Sequence, residues 1–179
     1  AGDFSPDGKK LVYSPLFRDF RTWKRYKGGW AQDLFLYDLA TGTSKVIAPS
    51  KRTERDPMWI GERIYFVSDR DGTLNLYSVA PNGEGLEKLT SSTTWDVRWA
   101  SSDGAGKIVY ELGGELRLWD VKAKAETALA ITVPSDGLSA RPARVPAEKQ
   151  IESRRGSESS SSPAATSSRR RSRRGRRGT

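Results

Sequence analysis

The chain has no cysteine and no histidine among its 179 residues. Without cysteine there is no disulfide framework, no thiolate nucleophile and no cysteine-based metal site. Without histidine the commonest general base and metal ligand is missing, and with it any Ser-His or Cys-His catalytic pair. No run of about 18 apolar residues occurs, so nothing reads as a membrane-spanning helix. No nucleophile elbow is present. Gly83-Glu84-Gly85 and Gly104-Ala105-Gly106 do not stand between a strand and a helix, so they are no phosphate-binding fingerprint. Asp69, Asp71 and Gly72 resemble the opening of a calcium loop but lack its closing Glu. They read as turn residues, as do Asp7, Asp38, Asp56, Asp96, Asp103 and Asp120. No catalytic residue, cofactor or metal site is expected.

Apolar residues are also scarce, at 35%, and the deficit is local. Residues 154–179 hold nine arginines and one glutamate, a net of +8. The whole chain is +9, so residues 1–153 carry only +1. The basic balance therefore describes a tail and says nothing of nucleic-acid binding by the body.

What is present is a repeat. Leu34-Phe35-Leu36-Tyr37 returns as Leu74-Asn75-Leu76-Tyr77 and again as Leu116-Arg117-Leu118-Trp119, at spacings of 40 and 42 residues. A repeat of about 40–45 residues rich in short strands marks a β-propeller blade. Strand-turn-strand punctuation supports this: Ser5-Pro6-Asp7-Gly8, Asp69-Arg70-Asp71-Gly72 and Gly113-Gly114 are turn signals between apolar runs. Helical periodicity is absent. The expected fold is all-β: a propeller fragment of about three four-stranded blades, over residues 1–50, 51–91 and 92–135. A connection toward a further propeller follows to residue 153, then a disordered tail. Three blades do not close a ring, so the chain is expected to be part of something larger. Val97-Arg98-Trp99 aligns with Pro57-Met58-Trp59. Trp59, Trp99, Tyr37, Tyr77 and Trp119 are read as packing between blades.

One segment breaks the period. Pro15 to Trp30 joins two strands that a four-residue turn joins in the second unit. It interleaves aromatics with Arg18, Arg21, Lys24, Arg25 and Lys27. Long insertions in repeats lie on one face and often carry function. Three readings stand: aromatics covering a neighbouring blade beneath solvated cations, a grip on peptide or protein, or stacking on single-stranded nucleic acid. The candidate contact residues are Arg18, Arg21, Trp23, Arg25, Tyr26 and Trp30.

Gly2-Asp3-Phe4-Ser5-Pro6-Asp7-Gly8-Lys9-Lys10 resembles the repeat of tricorn-type and TolB-type propellers. Ser14 to Leu39, Arg52 to Val79, and the stretches around Trp95 to Trp99 and Ile108 to Val121 are similar to the first propeller of tricorn-type serine peptidases. The resemblance covers residues 1 to about 153 and includes the irregular insertion. It implies part of an N-terminal six-bladed propeller, followed in the parent by a seven-bladed one, a PDZ-like domain and a serine peptidase domain. It implies a non-catalytic role in gating or guiding oligopeptides for proteolysis within a hexameric assembly. The partners would be peptides and the parent's other domains or subunits, with no membrane. The compartment would be cytoplasmic, as for tricorn, or periplasmic, as for exported bacterial relatives. None of the catalytic positions has a counterpart here.

After Ser153 the family pattern stops. At face value the tail is a disordered Arg/Ser-rich segment able to neutralise RNA phosphates. A shifted reading frame offers another account: Ser codons (TC-) become Phe, Leu, Ile or Val codons when read one base over. Ser159 to Ser162 would then be four apolar residues, Pro163 to Thr166 an Ala-Arg-Gly-Asp turn, and Ser167-Ser168 the next strand. The tail is thus expected to be out of frame. Two alternatives to the peptidase reading remain: a stand-alone TolB-like scaffold for protein–protein interaction, and an RNA-binding protein using the tail.

Overall fold

The β-rich pattern folds into three antiparallel sheets of four strands each. The computed structural model describes residues 1–15 and 25–132, and beyond them only Pro134 and Gly137. One unit spans Ala1–Val133 and a second Pro134–Thr179. Arg18, Arg21 and Trp23 lie outside the described residues, and so does the tail at 154–179 with both its readings.

The first sheet has β1 (Gly2–Phe4), β2 (Lys10–Tyr13), β3 (Leu34–Asp38) and β4 (Thr43–Ile47). The middle sheet has β5 (Glu54–Ile60), β6 (Arg63–Ser68), β7 (Asn75–Val79) and β8 (Glu87–Lys88). The third has β9 (Arg98–Ser102), β10 (Lys107–Leu112), β11 (Glu115–Asp120) and β12 (Ala125–Ala128). In each sheet the strands lie side by side in chain order, the meander of a propeller blade. Among the described residues there is no helix.

Asx turns close the hairpins. Asp103 Oδ1 accepts from the backbone N–H of Ala105, Gly106 and Lys107 at 2.8–2.9 Å. Asp38 does the same for Ala40 and Thr41, and Asp120 for Ala123. A short polar side chain satisfies turn amides that no ladder reaches, which is why Asp recurs there.

Period-2 alternation gives the middle sheet two apolar faces. Trp59, Ile64, Phe66, Tyr77 and Val79 pack on Val12, Leu34, Leu36 and Ile47 of the first sheet. Met58, Ile60, Tyr65, Val67 and Leu76 pack on Val97, Ile108, Tyr110 and Trp119 of the third. All of β7 is buried. Each of these side chains contributes about 1.5–3 kcal/mol by leaving water. The outward faces of the other two sheets stay partly open: Phe4, Val46, Leu116 and Trp99 are exposed.

Two features depart from the sequence reading. β1 was not recognisable, because Gly-Asp-Phe has no strand pattern; it pairs with β2, and Asp3 Oδ2 accepts the Trp59 N–H at 2.7 Å. The alignment of Trp99 with Trp59 is also corrected. Trp59 stands opposite Ile64, whereas the residue opposite Ile108 is Ser102. Trp99 lies in the bulged stretch of β9, with φ 55°, as Asp56 does in β5 with φ 52°. A longer turn, 103–106 against 61–62, shifts the register. Hence Trp59 is buried between sheets and Trp99 is 61% exposed.

Candidate functional site

Antiparallel meanders send alternate connections to opposite edges. The β2–β3 insertion leaves from the same edge as the β4–β5, β6–β7 and β8–β9 connections, and side chains tie these together there. The Arg25 Nε–H donates to the carbonyl of Gly72 in the β6–β7 turn. Arg52 Nη1, from the β4–β5 connection, donates to the Arg25 carbonyl at 2.9 Å. Arg25 holds φ 53°, so these two bonds fix it in a backbone region few side chains adopt. The return limb of the insertion therefore lies across the neighbouring loops.

Tyr26 folds back over Gly28, where a Cβ would stand 2.7 Å from the tyrosine Cζ, so a side chain at 28 would displace the ring. The Ala31 N–H to Gly28 carbonyl bond, at 2.9 Å, completes the turn. Trp30 is 59% exposed at its end. Trp95, in the β8–β9 connection, is 60% exposed and leans on Gly113. Lys27 and Lys51 are exposed on the same edge. Arg25, Tyr26 and Trp30 thus share the edge with Arg52 and Trp95, two residues the sequence reading missed.

Beneath them lies a buried polar layer. Glu54 is fully buried, and its Oε1 accepts from Ser50 Oγ at 2.5 Å, Ser68 Oγ at 3.1 Å and Arg70 Nη2 at 3.1 Å. Arg70 also donates to the Ala48 carbonyl at 2.9 Å. Its guanidinium carbon sits 5.4 Å from the Phe66 ring centroid and 5.2 Å from that of Tyr77. It staples the end of β4 to the middle sheet by charge and by cation–π attraction. Burial pushes the Glu54 carboxyl above the usual range, against the pull of Ser50, Arg70 and Ser68 and with a push from Asp33. Burial also raises Asp33. Asp69 Oδ1 accepts from the Thr53 N–H at 2.9 Å. Asp71 is held low by the Tyr77 hydroxyl and Lys88. No signal in the sequence marks Glu54 and Arg70 as partners, since they meet only through strand pairing.

Among the described residues no cluster of three or more His, Cys, Asp or Glu is placed to hold a metal ion. The edge offers cations, indole faces and backbone groups. That is chemistry for holding an extended chain with carboxylates.

Comparison with known proteins settles the lineage. Residues 1–125 match the tricorn protease N-terminal β-propeller domain. The chain belongs to this family. The tricorn protease homolog of Saccharolobus solfataricus is 35% identical over 132 residues, covering 74% of this chain and 12% of that protein. The tricorn protease of Thermoplasma acidophilum is 30% identical over 114 residues, 64% of this chain and 10% of it. The crystal structure of the tricorn protease superposes with a TM-score of 0.64 at 26% identity, over 75% of this chain and 13% of that one. A TolB structure from Agrobacterium tumefaciens gives 0.55 at 21% identity over 70% of this chain and 46% of that one, a likeness of fold alone. The tricorn propeller segment thus spans a small part of the relatives it matches, as the 12% and 10% figures state.

Proposed function

We propose that this tricorn-type propeller segment serves a serine peptidase without doing chemistry, by admitting or guiding oligopeptides across its insertion edge. The observation that carries the reading is the tethering of Arg25 and Arg52 on the same edge as the exposed indoles of Trp30 and Trp95. Guanidinium groups hold carboxylates, indoles hold apolar side chains, and neither hydrolyses a peptide bond. Arg18, Arg21, Trp23 and Tyr26 belong to the same proposed contact set. The remaining partners are the parent's neighbouring domains and subunits, in a hexamer as the family resemblance implies.

The test is a fluorescence-anisotropy titration of the chain with a labelled decapeptide. Arg25→Gln and Trp30→Ala should each weaken binding about tenfold or more. Lys9→Gln, which removes the same charge from the opposite edge, should leave it unchanged. Absence of binding, or equal weakening by Lys9→Gln, contradicts the reading. Tight salt-sensitive binding of RNA instead would favour the tail, and retention of a folded protein partner would favour a TolB-like scaffold.

A further inference from the structure

A Val–Leu pair stands at the same place in all three sheets. Val12 lies opposite Leu36, Val67 opposite Leu76, and Val109 opposite Leu118. One residue along each ladder, on the other face, Leu11 lies opposite Tyr37, Phe66 opposite Tyr77, and Ile108 opposite Trp119. Each sheet thus has an aliphatic face and an aromatic-bearing face. Within the chain these faces meet in one order only. Val12 and Leu36 share a core with Phe66 and Tyr77, and Val67 and Leu76 share one with Ile108 and Trp119.

Two faces are left over, one of each kind. The third sheet presents Val109 and Leu118, both half-buried, with Leu116 exposed on the same face. The first sheet presents Leu11 and Tyr37, also half-buried, with the Tyr13 and Phe35 rings 5.7 Å apart and Phe4 and Val46 exposed on that face. Contiguous apolar surface of this kind marks an interaction site. The charged residues of the third sheet's open face stand at its two ends. Glu111 is at one, and the Lys107–Asp120 pair is at the other, in the ladder position that Lys10–Asp38 occupies on the packed face of the first sheet.

We propose that a second copy of this chain covers both faces, with Val109 and Leu118 of each copy packed on Leu11 and Tyr37 of the other. The pairing repeats the one made twice inside the chain. It is therefore head-to-tail, and head-to-tail contacts close into a ring when the rotation suits. Propellers have about four to eight blades. Three sheets per chain reach that range only with two copies. The contact is independent of the insertion edge and of any peptide reading. Diluted below its dissociation constant, the chain shows Val109 and Leu118 to water, and Leu118 then behaves as a half-buried residue.

The experiment is sedimentation velocity of the full chain at about 1–100 µM. A closed ring predicts a species of twice the 19.8 kDa chain mass at the upper end, dissociating on dilution. Leu118→Asp and Tyr37→Asp each place a carboxylate in one half of the contact. Each should weaken association about 100-fold or more and leave the β-sheet circular dichroism unchanged. Either variant alone should be monomeric, since every contact then has a damaged half. Mixed, they should recover a heterodimer through one intact contact. Leu116→Asp and Phe4→Asp, at exposed positions of the same two faces, serve where the first pair fails to fold. An unsubstituted chain that stays monomeric would overturn the proposal and leave the faces to another segment or partner. A mass beyond two copies, a dimer that survives both substitutions, or a mixture that stays monomeric would overturn it as well.

Discussion

Three leucines at the same repeat position meet three environments, and truncating each one tests how the sheets are stacked. Leu36, Leu76 and Leu118 all stand in the third strand of their sheet and, by strand alternation, on the equivalent face of it. Leu36 is buried on the middle sheet, and Leu76, at 0% exposure, on the third. Leu118 is half-buried, and the shallow surface it lines with Val109 is open. Leu→Ala removes three carbon groups at about 0.8 kcal/mol each, or about 2.4 kcal/mol of transfer energy. A residual cavity adds to this where the walls cannot collapse, giving about 3–4 kcal/mol at Leu36 and Leu76. At Leu118 part of the side chain already touches water and no closed cavity forms, so the loss should be about 1 kcal/mol. Urea unfolding followed by tryptophan fluorescence reads all three. A loss at Leu118 equal to that at Leu76 would refute the stacking, because it would require a covering layer over the third sheet.

Other consequences follow from the same structure. Arg70→Ala leaves the Glu54 carboxylate buried without its guanidinium and should cost about 3–5 kcal/mol in a urea titration, whereas Lys107→Ala, at an exposed pair with Asp120, should cost little. Asp103 is held below the usual carboxylate range by the backbone N–H of Lys107 first, then by Ala105 and Gly106. Its stabilisation is therefore complete above the ordinary carboxylate pKa and lost as pH falls through the lowered value. Asp103→Ala should melt lower than the parent at pH 7 and converge with it in acid. Hydrogen exchange should protect β6 and β7 longest, with faster exchange in β4 and β12. Sequencing of the coding DNA across codon 153 should show a one-base frame change that restores a strand-turn-strand pattern; an unchanged frame would make the Arg/Ser tail genuine.

Most of the fold was legible because alternation and turn chemistry agree. Arg63–Ser68 reads as a strand from its apolar run and its flanking Gly61-Glu62 and Asp69–Gly72 turns, and β6 has those bounds. What was illegible depends on partners distant in sequence. β1 is a strand because β2 pairs with it and Asp3 ties it to Trp59, 56 positions away. Trp99 looked like Trp59 by spacing, but a bulge and a longer turn in the third sheet outweigh spacing. At the candidate site, the interruption of the repeat pointed to Arg25, Tyr26 and Trp30. Arg52 and Trp95 were missed because each sits in a separate connection, and only packing brings those connections to one edge. Glu54 and Arg70 were missed for the same reason.

Hydrogen exchange of the chain with and without a saturating oligopeptide tests the central claim most directly. The account predicts slowed exchange in 25–33, 48–54 and 69–74, with no change at the opposite-edge turns 5–9, 61–62 and 103–106. Protection confined to those opposite turns, or none at all, would contradict a peptide-guiding role for the insertion edge.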